Sequence, residues 1–90
     1  MKKLNGKTAI VTGASRGIGV HIVNSLTEKG VNVIGIARSK DGLANTGSIV
    51  AHNSGSYEYI EFDLAKSSEF LQLYSQFEDR EINFLVNNAG

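Results

Sequence analysis

The chain contains no cysteine and no proline, carries no surplus of either charge, and has no long hydrophobic run. Without cysteine there is neither a disulfide framework nor a thiolate metal site. Nine basic residues balance nine acidic ones, so no charge excess draws the chain toward nucleic acid or an anionic membrane. The amino terminus, Met1-Lys2-Lys3-Leu4-Asn5-Gly6-Lys7, is basic, but the apolar run after it covers only residues 8–12. That is far short of a signal-peptide core or a membrane span. The expected location is therefore the cytoplasm, with no membrane partner. Two histidines, His21 and His52, are too few and too widely separated for a metal site, and both are expected as solvated side chains. The missing proline carries no functional message.

What is present suits one small soluble domain: 90 residues, 41% hydrophobic and 20% charged. A chain of this size buries a modest core, so marginal stability is expected. Residues 8–12 read as a strand buried on both faces. Ile18, Ile22, Val23 and Leu26 follow at helical spacing, and Gly30, straight after Glu28 and Lys29, reads as the C-terminal cap. Residues 31–37 form the second strand. Residues 39–53 have only Leu43, Ile49 and Val50 as large apolar side chains, and Gly42 and Gly47 oppose a helix. A helix is expected there from topology rather than propensity. Residues 57–62 alternate and are rich in aromatic and β-branched types, which predicts a third strand. Ser67 or Ser68 can cap the next helix, with Phe70, Leu71, Leu73, Tyr74 and Phe77 as its apolar stripe. Residues 82–86 are the last strand. Alternating strands and helices imply an α/β protein with a parallel sheet and right-handed crossovers.

Between the first strand and first helix lies Thr12-Gly13-Ala14-Ser15-Arg16-Gly17-Ile18-Gly19. Glycine there permits positive φ and lets backbone amides come close to a phosphate. The helix beginning near Gly17 adds the positive end of its dipole. Ile18 is expected to point inward and anchor the helix on the sheet. These are the properties of a pyrophosphate cradle.

The spacing T-G-x-x-x-G-x-G resembles that of the short-chain dehydrogenase/reductase family, and so does Asn87-Asn88-Ala89-Gly90 after the fourth strand. The resemblance covers essentially the whole chain. It implies a Rossmann-type doubly wound parallel sheet, incomplete, with about four strands and three helices. On that reading residues 1–90 are the N-terminal part of a dinucleotide-binding domain. Gly13, Ser15, Arg16, Gly17, Ile18 and Gly19 would then line the cofactor.

The end of the second strand bears on which nicotinamide cofactor is bound. An acidic residue there accepts from the 2′-hydroxyl of NAD and repels the 2′-phosphate of NADP. Here the position is Ala37, followed by Arg38, and no carboxylate comes before Asp41. Arg38 can pair with a 2′-phosphate, Arg16 can approach it from the glycine turn, and Ser15 can donate a hydroxyl. The expected cofactor is NADP(H). Asp63 either accepts from the adenine amine or is an acid favoured by the start of a helix; the resemblance points to adenine, with the Leu64 amide on the ring. It also implies cofactor contact by Asn88, space for the ribose at Ala89, and a structural role for Asn87.

The family's chemistry needs a serine and a Y-x-x-x-K pair, in which lysine lowers the tyrosine pKa. Four residues after Tyr57, Tyr59 and Tyr74 stand Glu61, Asp63 and Glu78. No catalytic residue is therefore assigned, the tyrosines are expected in packing, and the catalytic half is expected outside these residues. By resemblance the whole enzyme would move hydride between nicotinamide and a carbonyl or alcohol. The alternative is a non-catalytic dinucleotide-binding or interaction fragment, pairing with a C-terminal half or a full-length relative. With strand order 3-2-1-4 the last strand would be an open edge and part of an apolar face exposed. Poor solubility or a partner is the expectation.

Overall fold

A computed structural model describes residues 4–63 and 70–88. Its elements run β1 (Thr8–Thr12), α1 (Ile18–Glu28), β2 (Asn32–Ala37), α2 (Lys40–Val50), β3 (Tyr57–Glu61), α3 (Phe70–Ser75) and β4 (Phe84–Val86). The strands form one sheet in the order β3-β2-β1-β4, every pair parallel. This is the expected incomplete Rossmann-type α/β architecture.

Two apolar layers sandwich the sheet. On one face Ala9, Val11 and Val33 pack with Val23 of α1 and with Leu43 and Val50 of α2. On the other, Ile34 and Ile36 pack with Leu73 of α3 and with Phe77 beyond it. Successive β2 side chains alternate between the layers, which explains why that strand reads as an unbroken apolar run. The caps Ser67 and Ser68 lie outside the described residues, as do the side chains of Phe70, Leu71 and Tyr74. Of the proposed stripe, Leu73 and Phe77 are buried.

Local chemistry sets the ends of each helix. At the end of α1, Gly30 adopts φ +83°, its amide donates to Thr27 O (3.1 Å), and the Val31 amide donates to Leu26 O (3.1 Å). That pair of bonds is a Schellman cap, and it delays β2 to Asn32. At the start of α2, the Ser39 hydroxyl accepts from the Gly42 amide at 3.0 Å. The two glycines that argued against this helix face close neighbours. A Cβ on Gly42 would lie 2.8 Å from Ser15 Cβ, and one on Gly47 would lie 3.4 Å from the Tyr57 ring.

Strand β4 is shorter than its sequence suggests, yet pairing continues past it. Asn83 takes the Thr8 amide on its side-chain oxygen (2.9 Å) and donates its own amide to Thr8 O (2.9 Å). At this edge Leu85 is 68% and Phe84 39% exposed, the apolar exposure expected of an open edge. No helix among the described residues is long and apolar enough to cross a membrane.

Candidate dinucleotide-binding site

The glycine turn grows directly out of the sheet. Gly13 takes φ +68° and donates its amide to Ile36 O at 2.8 Å, so the chain leaves β1 still tied to β2. Gly17, at φ +59°, is the N-cap of α1. Gly19 is buried, and a Cβ on it would stand 1.9 Å from the Gly13 carbonyl oxygen. Only glycine allows the helix to sit this close to the strand end. Among the described residues the amides of Ser15, Arg16, Gly17, Ile18 and Gly19 donate to no protein acceptor, and the first turn of α1 carries no acidic side chain. Five such donors leading into a helix N-terminus make an arrangement that favours an anion.

Ile18 does not anchor the helix. It is 70% exposed, because the buried stripe of α1 runs through Gly19, Val23 and Thr27, and Ile18 is rotated off it on the terminal turn. Glycine contact, rather than isoleucine packing, seats the helix. The exposed Ile18 side chain instead borders the turn.

A hydroxyl joins the ends of β1 and β4. Thr12 Oγ1 donates to Asn87 Oδ1 (3.1 Å), with Val86 O at 3.4 Å, and accepts the Asn88 amide (2.9 Å). Asn88 Nδ2 lies 3.4 Å from Gly13 O. The Asn88 side chain therefore braces backbone at the crevice, on the same carbonyl that Gly19 meets, while Asn87 holds the Thr12 hydroxyl. Thr12 was not assigned a role from sequence; the signal available was its place as the first letter of the turn motif.

Ser15 is half-buried, and Arg16 and Arg38 are exposed. Ser15 and Ser39 both crowd Gly42, so the start of α2, just after Arg38, adjoins the turn that carries Arg16. Ala37 closes β2 without a carboxylate, but the sheet register sets Glu61 beside it, a neighbour that the linear order conceals. Asp63 is half-buried just beyond β3. Leu64 and Ala89 lie outside the described residues. His21 and His52 are exposed.

The phenol of Tyr57 donates to Leu43 O at 3.0 Å. Its pKa is pushed up to about 12, chiefly by burial and then by the charge of Tyr59. A proton-transfer tyrosine needs the opposite shift, so Tyr57 serves packing.

The family model for short chain dehydrogenases matches residues 7–90. The chain belongs to the short-chain dehydrogenase/reductase family. A ketoacyl reductase, HetN, from a Nostoc species is 40% identical over a 92-residue alignment that covers 100% of this chain and 32% of that protein. Among solved structures, the Pseudomonas aeruginosa RhlG/NADP active-site complex superposes with TM-score 0.82 at 36% identity, over 97% of this chain and 36% of that one. An NAD⁺-bound xylitol dehydrogenase superposes with TM-score 0.86 at 28% identity, over 98% of this chain and 35% of that one. The chain thus spans about a third of the length of these short-chain dehydrogenase/reductase relatives.

Proposed function

We propose that these residues are the NADP(H)-binding portion of a short-chain reductase. The observation that carries the choice of cofactor is the end of β2. Ala37 offers no carboxylate to a ribose, and Arg38 follows it, exposed, beside the turn that bears Arg16. A guanidinium there favours a 2′-phosphate through a charge-assisted, bidentate contact. The turn fits the rest of the cofactor. The bare amides of residues 15–19 would hold the pyrophosphate, and the cradle is one that a Cβ on Gly19 would fill. The Ser15 hydroxyl adds a donor, Asp63 would accept from the adenine amine, and Asn88 would face the ribose. Leu64 and Ala89 keep the roles that the resemblance implies for them.

Bound there, the nicotinamide would supply or accept hydride. The residues described bind and orient it; none of them moves a proton. The whole protein would act on a carbonyl or alcohol, and the relatives named as a ketoacyl reductase and an NADP complex support a reductase.

A second reading, NAD(H), draws on Glu61 beside Ala37. Calorimetric titration of the full chain with NADP⁺ and NAD⁺ separates the two. NADP⁺ is expected to bind at least about tenfold more tightly, since a charge-assisted bond contributes roughly 1.5–3 kcal/mol. Arg38→Asp should reverse the order. Equal affinities, or a preference untouched by Arg38→Asp, refute the NADP(H) assignment; tighter NAD⁺ binding that Glu61→Gln abolishes establishes the second reading.

A further inference from the structure

Thr46 is fully buried in the middle of α2. A threonine inside a helix ordinarily donates to the carbonyl four residues back, and Gly42 O is available at 3.1 Å. The shorter contact, 2.8 Å, goes to Ala14 O, which lies in the glycine turn and 32 residues away in sequence. A hydroxyl has one proton to give, and the shorter partner is the turn.

This bond fixes more than one carbonyl. The peptide between Ala14 and Ser15 is trans, as are all those described. In a planar trans peptide the C=O and N–H point in opposite directions. A carbonyl drawn toward α2 therefore turns the Ser15 amide away from α2. Ser15 is also the first of the five amides that find no acceptor among the described residues.

The surroundings keep α2 in register with the turn. A Cβ on Gly42 would meet Ser15, so the helix backbone packs directly on the turn's Ser15. Tyr57 donates to Leu43 O, one residue along α2 from Gly42. Above Gly35 there is room for both the Tyr57 ring edge and the Ala14 methyl, at 2.9 Å and 3.0 Å from where a Cβ would stand.

We propose that Thr46 is a positioning residue for the phosphate-binding turn, its hydroxyl holding the Ala14 carbonyl so that the Ser15 amide faces the ligand. The proposal rests on the NADP(H)-binding reading above. Two substitutions separate positioning from packing. Thr46→Val keeps the volume and loses the hydroxyl; Thr46→Ser keeps the hydroxyl and loses a buried methyl. In calorimetric titration of the full chain, Thr46→Val should weaken NADP⁺ binding by roughly five- to tenfold, the worth of one hydrogen bond. Thr46→Ser should bind like the parent even though its melting temperature also falls. Equal affinities in all three proteins, or weaker binding by Thr46→Ser than by Thr46→Val, overturn the proposal. If the parent binds neither dinucleotide, the cofactor reading has failed separately. The Ser15 amide resonance of the unliganded chain then decides: displaced in Thr46→Val but not in Thr46→Ser, it supports positioning; unmoved in both, it refutes it.

Discussion

Gly19→Ala adds one methyl where the structure has least room. The new Cβ would stand 1.9 Å from Gly13 O, 2.8 Å from its carbon and 3.0 Å from Asn88 Nδ2. The carbonyl cannot retreat freely, because the same residue donates its amide to Ile36 O at 2.8 Å and its oxygen is met by Asn88. Real Cβ contacts stay beyond 3.0 Å, so opening from 1.9 Å to 3.0 Å moves the start of α1 by at least 1.1 Å. Two terms then nearly offset in stability. Alanine gains about 1 kcal/mol of helix propensity, while overpacking costs about 1–3 kcal/mol. The melting temperature should fall by no more than about 16 °C for a chain this size. Binding has no such offset. A shift of this length takes amide donors out of hydrogen-bonding range of a phosphate, and losing two charge-assisted bonds of ~1.5–3 kcal/mol each weakens binding by at least about 100-fold. The assay is fluorescence titration with NADPH beside a thermal melt. Gly6→Ala is the control: it sits at φ +83° with nothing within 4 Å of its Cβ, so it should cost about 1–2 kcal/mol of stability and leave binding intact. A folded Gly19→Ala protein that binds NADPH within about threefold of the parent would refute the reasoning, since the loss expected from two bonds is far larger.

Two further expectations concern the sheet. Burial and the neighbouring Tyr59 charge raise the Tyr57 pKa to about 12, whereas an unfolded phenol ionises near ~10; between those values the unfolded chain holds fewer protons, so stability is intact below about pH 10 and falls as pH rises toward 12. Tyr57→Phe should remove part of that alkaline decline at a pH-independent cost of about 1 kcal/mol for the lost donor; urea melts from pH 7 to 11.5 check this, and equal declines in both proteins refute it. The Arg80–Glu58 fork, at 2.9 Å and 3.0 Å, joins β3 to the segment after α3, but both side chains are exposed. A double-mutant cycle with Glu58→Gln and Arg80→Gln should give a coupling of no more than about 1 kcal/mol that shrinks in salt; a larger, salt-insensitive coupling would show that the pair anchors that segment.

The elements most legible in the sequence are those whose burial is decided by neighbouring letters. Residues 31–37, apolar but for Asn32, read as a strand at once, and Gly30 follows its helix as a cap should. Helix α2 was legible only through topology. Its apolar content is low because Gly42 and Gly47 face Ser15 and Tyr57, contacts that depend on chain folded from 27 and 10 residues away by the numbering itself. Ile18 was misread for a related reason. Counting hydrophobic letters passes over a buried stripe made of Gly19, Val23 and Thr27, in which a glycine makes the closest contact and a threonine satisfies itself on Val23 O at 2.8 Å.

The same blindness hid the threonines that shape the site. The motif identifies the amides of residues 15–19 as donors, but bare amides bind an anion well only if they are aimed before it arrives. Here the first two carbonyls of the turn are gripped from different directions. Gly13 O meets Asn88 from the end of β4, and Ala14 O takes the Thr46 hydroxyl from α2. Thr12, at the end of β1, holds the amide of that same Asn88. Each grip joins residues that are 32 to 76 positions apart, so no local pattern could announce it. The cradle is thus a property of the assembled sheet and helix. Substitutions at Thr46, though it is fully buried, should be read out in affinity for that reason.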